Sequence, residues 1–301
     1  MSQSTVVRSA AAGTAPARWR VVLSIFKLRI GVLIMVTALA GMAAVPGGQL
    51  SALQALVLAL SVLAASAAAG AFNQYIEADS DRLMARTRSR PFASGALPRN
   101  AFWLAVIAAL GVAAVAAAAW VVNGVAATFV ALGGLTYAVV YTMLLKRRTA
   151  WNIVVGGLAG SFAVLAGAAA VDPGLSALPL LLALALLLWT PPHFWSLAIA
   201  NAAEYAAAGV PMLPVVAGAE RAARIVHASA VALVGVTLLP AFFGAGPVYL
   251  IGATAGGAHF LRKTHALARA PQRVTAMASF FASMVQLSVL LAAVVVDGMV
   301  R

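Results

Sequence analysis

The chain has 301 residues, of which 63% are hydrophobic and 9% are charged, and its formal net charge is +13. Apolar runs of about 20 residues recur along it, long enough to span the hydrocarbon core of a bilayer, which excludes a soluble globular domain and predicts an all-α integral membrane protein. The basic residues lie between the apolar runs, where membrane topology accounts for them, so the charge does not indicate a nucleic-acid partner.

Nine transmembrane helices are predicted, and they form a single domain over residues 28–301. The preceding segment, residues 1–27, carries arginines but no apolar core of the signal-peptide type, so we expect a cytoplasmic N-terminal tail. In chain order the predicted spans are 28–46, 52–76, 101–121, 124–145, 152–171, 176–200, 222–243, 246–262 and 275–298.

The connections between these spans alternate in charge. Those after the first, third, fifth and seventh spans are short and contain no Lys or Arg, whereas the N-terminal segment and the other connections hold 19 of the 20 basic residues. The positive-inside rule therefore places the N-terminus and the basic connections in the cytoplasm and the C-terminus outside. The expected location is the bacterial inner (cytoplasmic) membrane, with the lipid bilayer as solvent.

A row of oxygen-bearing side chains ends the second span: Asn73, Glu77 and Asp81. At a spacing of four residues they share one face of a helix and rise about 12 Å along it, whereas Asp79 points to the opposite side. Such oxygens are typical ligands of Mg²⁺ that keeps several waters and bridges to phosphates. A helix-end charge cluster paired with its own arginines is the alternative, but stacked carboxylates near the membrane call for a counter-ion.

Basic residues lie close to this row in the predicted topology. Arg86 and Arg90 follow the second span, and Lys146 and Arg147 follow the fourth. Carboxylates with a metal on one side and Arg and Lys on the other form a recurrent site for a diphosphate leaving group. Charge that serves only to fix the topology is the alternative for each of these residues.

The sixth span contains Trp189-Thr-Pro-Pro-His-Phe-Trp195. Two consecutive prolines remove backbone donors and are expected to kink the helix. The flanking aromatic rings favour a ligand pocket at His193, and an interhelical hydrogen bond is the alternative. Beyond the span, Asn201, Glu204 and Tyr205 repeat the polar arrangement as a weaker second acidic site.

Six motifs can be set side by side: Asn73-x-x-x-Glu77-x-x-x-Asp81, 84–91, 141–147, 152–157, 189–195 and 208–216. Together they resemble the protohaem IX farnesyltransferases, or haem O synthases, a branch of the membrane prenyltransferases. The row of Asn and acids alone indicates the wider superfamily, whereas Trp-Thr-Pro-Pro-His-Phe-Trp indicates the haem-modifying branch. The resemblance implies nine transmembrane helices around a central cavity that opens to the cytoplasmic side.

The implied reaction adds water and the farnesyl group of farnesyl diphosphate to one vinyl group of haem B, giving haem O and diphosphate with Mg²⁺ as the cofactor. Phe72, Tyr75 and Phe194 are expected to form an apolar wall that keeps water from the allylic cation. The implied catalytic residues are Asn73, Glu77, Asp81, Lys146 and His193; the metal ligands are Asn73, Glu77, Asp81 and Glu204; the diphosphate contacts are Arg86, Arg90, Lys146, Arg147, Asn201, Glu204 and Tyr205; and the haem contacts are His193 and Trp195.

Two segments depart from the family pattern. Asn201 stands where a basic residue is expected and Ala203 where an acid is often found. The resemblance therefore does not decide which residues form the second acidic site. Residues 161–168 lack a proline and a tryptophan that the family leads us to expect. The resemblance therefore does not decide which residues of this span line the cavity.

Two other functions fit parts of the sequence. One is a membrane prenyltransferase for another aromatic acceptor, such as a quinone precursor. The other is a cation-coupled transporter, although such transporters place their acids near the bilayer midplane and these acids lie at helix ends. A haem-modifying or oxidase-assembly protein is the further partner that a haem product would suggest.

Overall fold

The computed structural model describes residues 17–47 and 50–300, and over these ranges the chain is helical, with no strand. Residues 1–16 of the expected tail lie outside the described residues, and the remainder of that tail includes a short helix. The α-helices are α1 (Arg18–Ile25), α2 (Leu28–Ala43), α3 (Ala52–Ile76), α4 (Ala78–Asp81), α5 (Pro91–Ser94), α6 (Ala101–Val121), α7 (Gly124–Leu135), α8 (Asn152–Gly156), α9 (Leu158–Val171), α10 (Ala177–Ala200), α11 (Ala202–Ala207), α12 (Leu213–Ala217), α13 (Ala219–Leu238), α14 (Pro247–Arg269) and α15 (Arg273–Val300).

Two of these helices continue in a different helical form. A π-helix, Thr136–Leu145, extends α7, and a 3₁₀ helix, Leu239–Phe243, extends α13. Helix α10 runs without interruption through Pro191 and Pro192. The two prolines at which a kink was expected therefore lie inside one continuous helix.

Long apolar helices make the chain a multi-pass membrane protein. Within the described residues, seven helical segments are long and apolar enough to cross a membrane, and α1 with α2, a pair bent by 44°, makes an eighth. The remaining predicted span corresponds to α14, which continues to Arg269 rather than ending at residue 262 and carries basic residues in its second half. The other helices begin and end close to the predicted spans.

Side-chain caps fix where several helices begin. Ser51 and Gln54 form a reciprocal capping box at the start of α3, and Asn100 accepts a hydrogen bond from the amide of Trp103 at the start of α6. Asn123 caps α7 and also donates to the Ala169 carbonyl oxygen at 2.9 Å. Because Ala169 lies in α9, this side chain ties the start of one span to the end of another.

Small residues allow neighbouring helices to approach closely. A Cβ atom added to Gly167 of α9 would collide with the Ala38 carbonyl oxygen of α2, and one added to Gly41 of α2 would collide with the Val164 carbonyl oxygen. Close backbone approach through small residues is the usual packing mode of membrane helices, since lipid is as apolar as the helices themselves.

A buried acid joins the last two long helices. The carboxylate of Asp297 in α15 is 1% exposed and accepts hydrogen bonds from the amides of Gly246 and Tyr249 at 2.8 and 3.2 Å. These amides lie at the start of α14, where a helix has unpaired donors and a favourable dipole for an anion. The opposite end of the bundle, residues 77–90, 146–148 and 201–205, is called the charged end below.

The close contact between α2 and α9 gives a test of the packing. Gly167→Ala is expected to lower the free energy of unfolding by about 1–3 kcal/mol, because the new methyl group meets a backbone carbonyl that cannot move aside. Gly160→Ala on the same helix is the control, since an added Cβ there meets no atom within 4 Å. Thermal midpoints of the purified variants in detergent provide the measurement, and equal midpoints for both would contradict the contact.

Candidate active site

A cavity of about 440 Å³ lies at the charged end, between α3, the π-helix, α10 and the bend that joins α1 to α2. It combines basic, acidic and aromatic side chains with a few apolar ones. Its lining residues are Ser24, Lys27, Ile30, Asn73, Gln74, Glu77, Asp81, Met84, Arg86, Thr87, Ser89, Arg90, Pro91, Tyr137, Tyr141, Lys146, Phe194, Leu197, Tyr205 and Met212.

The row of Asn73, Glu77 and Asp81 forms one wall of this cavity. Helix α3 ends just before Glu77, yet the Glu77 amide donates to the Asn73 carbonyl at 3.0 Å and the Asp81 amide donates to the Glu77 carbonyl at 2.8 Å. Helical spacing therefore continues across the junction with α4 and keeps the three side chains together. They are only 2%, 2% and 3% exposed.

Each acid of the row is paired with a basic residue from another segment. The Lys146 ammonium is 2.6 Å from the Glu77 carboxylate, and Arg90 donates to both oxygens of Asp81 at 2.8 and 3.0 Å. Both bonds come from one guanidinium nitrogen, Nη1, which is shared between the two carboxylate oxygens. The wall therefore alternates anionic and cationic groups around one space.

The π-helix explains how Lys146 reaches the wall. In an α-helix, residues nine apart are separated by about two and a half turns and point to opposite sides. In a π-helix each hydrogen bond closes one residue later, so residues nine apart are separated by about two turns and share a face. Tyr137 and Lys146 consequently both line the cavity, and Tyr141 stacks on Tyr137 with ring centroids 5.5 Å apart.

The segment between α4 and α5 supplies the arginines. The Thr87 hydroxyl donates to the Asp81 carbonyl oxygen at 3.0 Å and folds this segment back over the row. Arg86 interacts with the hydroxyl of Tyr205 in α11, and burial raises the pKa of Tyr205 above its ordinary value. A tyrosine hydroxyl is protonated at neutral pH even at its ordinary pKa, so Tyr205 is able to donate a hydrogen bond into the cavity.

Asp79 lies outside the cavity, as the helical spacing predicts. It pairs with Arg82 and Arg99 at 3.3 and 2.8 Å on an exposed face, with 66% of its side chain accessible. The hydrogen bond and the charge of Arg99 hold the pKa of Asp79 below its ordinary value. Its contacts tie α4 to the segment before α6 and do not involve the cavity.

Five residues of the implied site do not line the cavity: Arg147, Asn201, Glu204, Trp195 and His193. Arg147 is exposed beside it, and the Asn201 amide donates to the Leu197 carbonyl oxygen at 2.8 Å instead of facing the acids. Glu204 lies near Tyr205 with one buried carboxylate oxygen that has no hydrogen-bond partner among the described residues. Trp195 packs edge-on against Trp151, with ring centroids 6.3 Å apart.

The expected apolar wall is divided between two places. Phe194 lines the cavity together with Tyr137 and Tyr141. Phe72 and Tyr75 instead pack in a separate cluster around Phe92. They follow the other face of α3, since neither is separated from Asn73 by a full helical turn.

His193 lies deeper in the bundle, next to the cavity but not on its wall. Its ring stacks between Trp189 and Phe280, with centroids 4.1 and 4.5 Å away, and its Nδ1 is 2.7 Å from the Ser283 hydroxyl. Both ring faces are therefore covered and the ring orientation is fixed. Any further contact must involve the edge that carries Nε2.

Lys27 and Tyr137 are polar lining residues that were not predicted as parts of the site. Lys27 donates to the Asn73 carboxamide oxygen at 2.6 Å, and Tyr137 lies 3.4 Å from the same ammonium. A single lysine before an apolar run is usually explained by topology, so the sequence signal at Lys27 was weak. Tyr137 was missed because α-helical spacing places it opposite Lys146.

The oxygen donors of the row fit a hard divalent cation. One carboxamide and two carboxylates line the same wall, which suits Mg²⁺ that keeps several of its waters. Within residues 17–47 and 50–300 no three His, Cys, Asp or Glu side chains converge into a closed metal cluster. The donor set is therefore an open one, which leaves most positions around a metal to water and to a ligand.

The sequence of the chain is similar to those of known membrane prenyltransferases. The chain matches the model of the UbiA prenyltransferase family over residues 34–287. Protoheme IX farnesyltransferase 2 of Paramagnetospirillum magneticum is 56% identical over 281 residues, which cover 93% of this chain and 98% of the relative. Protoheme IX farnesyltransferase of Azotobacter vinelandii is 41% identical over 283 residues, covering 93% and 94% of the two chains.

Solved structures share the arrangement of helices. A structure of digeranylgeranylglyceryl phosphate synthase has a TM-score of 0.75 at 19% identity and covers 94% of this chain and 99% of its own. A UbiA homolog from Archaeoglobus fulgidus bound to GPP and Mg²⁺ has a TM-score of 0.66 at 16% identity and covers 91% and 99%. At these identities the likeness establishes the fold.

The pair of Glu77 and Lys146 provides a test of the charge arrangement. Their side chains are 3% and 19% exposed, so Lys146→Met leaves a buried carboxylate without its cation. A loss of about 3 kcal/mol in the free energy of unfolding is expected, at the low end for a broken buried pair because Lys146 keeps some contact with solvent. The measurement is the thermal midpoint in detergent without substrate or metal.

The double variant Lys146→Met with Glu77→Gln is the control for this test. It removes both charges, so it should be clearly more stable than Lys146→Met alone. Simple additivity of the two single substitutions would show that the two side chains are not coupled.

Proposed function

Because the chain belongs to the UbiA prenyltransferase family and is 56% identical over 93% of its length to a protoheme IX farnesyltransferase, we propose that it is a farnesyltransferase acting on haem B. It transfers the farnesyl group of farnesyl diphosphate to a vinyl carbon, water adds to the neighbouring carbon, and haem O and diphosphate are released. The observation that carries the proposal is the cavity wall, where buried acids and basic side chains alternate at the end of an apolar bundle.

The alternating wall suits a substrate with a diphosphate head and an apolar tail. Arg86, Arg90 and Lys146 bind the oxygens of the diphosphate, since each lines the cavity and has a side chain long enough to move from its present partner. Asn73, Glu77 and Asp81 would hold Mg²⁺, which supplies charge stabilisation for the departing diphosphate. Basic groups and acids are both needed because the head is a polyanion that binds together with a cation.

Aromatic side chains shield the allylic carbon of the farnesyl group from water. Breaking the bond between C1 of the farnesyl group and the diphosphate oxygen leaves positive charge on an allylic carbon. Phe194, Tyr137 and Tyr141 border the same cavity and shield that carbon from water until the vinyl group attacks. Tyr205 lines the cavity as well, and its hydroxyl is a hydrogen-bond donor toward the diphosphate.

Several finer assignments belong to the same proposal. His193 and Trp195 contact the haem, and Glu204 joins the metal site with Asn201 and Arg147 nearby when the substrates are bound. The chain spans the bacterial inner membrane nine times as one domain over residues 28–301, with its N-terminus and charged end in the cytoplasm and its C-terminus outside. A haem-modifying or oxidase-assembly partner stays a prediction.

The acid row gives the direct test of the chemistry. Asp81→Asn is expected to lower the rate of haem B farnesylation by roughly 100-fold or more, because it removes a charge that binds the metal and orients Arg90. Asp79→Asn is the matched control, since it changes an exposed acid two residues away that is outside the cavity. Diphosphate release is measured with purified protein at limiting Mg²⁺, with haem B as the acceptor.

The same assay separates this function from its nearest alternative. Substituting 4-hydroxybenzoate for haem B tests for a prenyltransferase of quinone precursors. Turnover with 4-hydroxybenzoate and none with haem B would overturn the proposed acceptor. Near-normal activity of Asp81→Asn at limiting Mg²⁺ would overturn the metal role.

The stacked ring of His193 provides a second prediction. If its Nε2 edge contacts haem, His193→Ala should weaken haem binding on the order of 10-fold and shift the haem absorption spectrum, while the affinity for farnesyl diphosphate stays nearly unchanged. His227→Ala is the control, because His227 bonds to Thr264 at 3.0 Å between other helices. A lower thermal midpoint with unaltered haem affinity and spectrum would leave His193 a purely structural residue.

A further inference from the structure

The bend between α1 and α2 holds one residue in an unusual conformation. Lys27 has φ 48° and ψ 43°, the left-handed region, and the two helices it joins are bent by 44°. Residues with a Cβ atom rarely adopt this region, and they do so mainly where the surrounding structure enforces it and a function uses it. A glycine would adopt the same bend without strain, so the bend alone does not explain a lysine.

The consequence of the bend is the position of the ammonium group. The Lys27 side chain crosses Gly70 of α3, where an added Cβ would be 3.4 Å from the Lys27 Cδ. Its Nζ then enters the cavity wall and donates to the Asn73 Oδ1 at 2.6 Å. The Tyr137 hydroxyl is 3.4 Å away on the other side.

Lys27 differs from the other basic residues of the wall in its partners. Glu77 and Asp81 are already paired with Lys146 and Arg90. In the part of the chain that the structure describes, the four ion pairs do not include Lys27. Its ammonium is held in a half-buried wall by neutral oxygens, where a charge is poorly compensated and an anionic ligand is favoured.

The partner of this charge differs from the partners of the other basic residues. Lys146 and Arg90 pair with Glu77 and Asp81, whereas Lys27 pairs with Asn73. Asn73 is one turn of α3 before Glu77, about 6 Å along the helix. An anion bound by Lys27 would therefore lie at the Asn73 side of the same cavity, one helical turn from the acids.

We propose that Lys27 binds a carboxylate of the acceptor substrate. This inference rests on the proposed function, because haem B carries two propionate carboxylates that must enter an otherwise apolar bundle beside the polar cavity. Pairing one propionate with Lys27 fixes the orientation of the porphyrin relative to the prenyl donor. It also gives the enzyme a way to distinguish an anionic acceptor from a neutral one.

The test combines a variant with a change in the substrate. Purified full-length wild type and Lys27→Gln are assayed with haem B and with its dimethyl ester, and the KM for farnesyl diphosphate is measured in parallel. The wild type should show a KM for the ester about 10- to 100-fold above that for haem B, the range for a hydrogen bond to a charged group. Lys27→Gln should bind haem B as poorly as the ester and keep its KM for farnesyl diphosphate.

Two further variants control for folding and for charge. Arg29→Gln changes an exposed basic residue of α2 next to the site and should behave as the wild type. Lys27→Arg keeps the charge and should retain the preference for haem B over the ester, even if Lys27→Gln is too unstable to assay.

Each other outcome overturns the inference. A wild type that does not distinguish haem B from its ester shows that no carboxylate is bound, and a Lys27→Gln variant that still distinguishes them shows that another residue binds it. A raised KM for farnesyl diphosphate alone assigns Lys27 to the diphosphate. If the proposed function is wrong, the wild type will not transfer farnesyl to haem B at all. In that case the acid and its ester are compared with 4-hydroxybenzoate and its methyl ester as acceptors.

Discussion

Glu77 and Asp81 bury two negative charges against an apolar bundle, and a buried carboxylate without a cation is far less stable than one in water. The chain meets this constraint with basic residues from two separate segments: Lys146 from the end of the π-helix and Arg90 from the segment before α5. Both segments are thereby fixed to the end of α3. The charged end is therefore held by these two pairings together with the apolar cluster around Met84, Tyr205 and Met212.

The same pairings make the end of the bundle suitable for binding a polyanion with a cation. Each acid already has a positive group beside it, and each positive group borders the shared cavity. On the proposed function, a metal and a diphosphate bound together would change which partners these groups contact and would leave the local charge nearly balanced. Preorganised charges in a site of low dielectric constant are an effective way to stabilise a leaving group.

Hydropathy and charge were sufficient to predict the long apolar helices and the row of acids, but not the short helices α4, α5, α11 and α12. Both predictions depend on short-range patterns: apolar length for the spans and a spacing of four for Asn73, Glu77 and Asp81. The partners of the row were predicted only in part. Lys146 was identified by its position in a basic connection, but the helix that carries it is a π-helix, and α-helical spacing gives the wrong face for Tyr137. Lys27 escaped notice because its role depends on a left-handed backbone conformation that nothing in its neighbours requires. Of the flanking aromatic rings that favoured a pocket at His193, Trp189 stacks on the imidazole, Phe194 lines the cavity and Trp195 packs against Trp151.

The helix that begins at Gly124 follows two different periodicities along its length. Its first part, up to Leu135, faces other apolar helices with ordinary α-helical spacing, and its second part follows the longer spacing that brings Lys146 to Glu77. One residue gained or lost in the second part would rotate everything beyond it by roughly a quarter turn or more. The position of Lys146 in the site therefore depends on the number of residues in the π-helical half, and not on the hydrophobicity of that half.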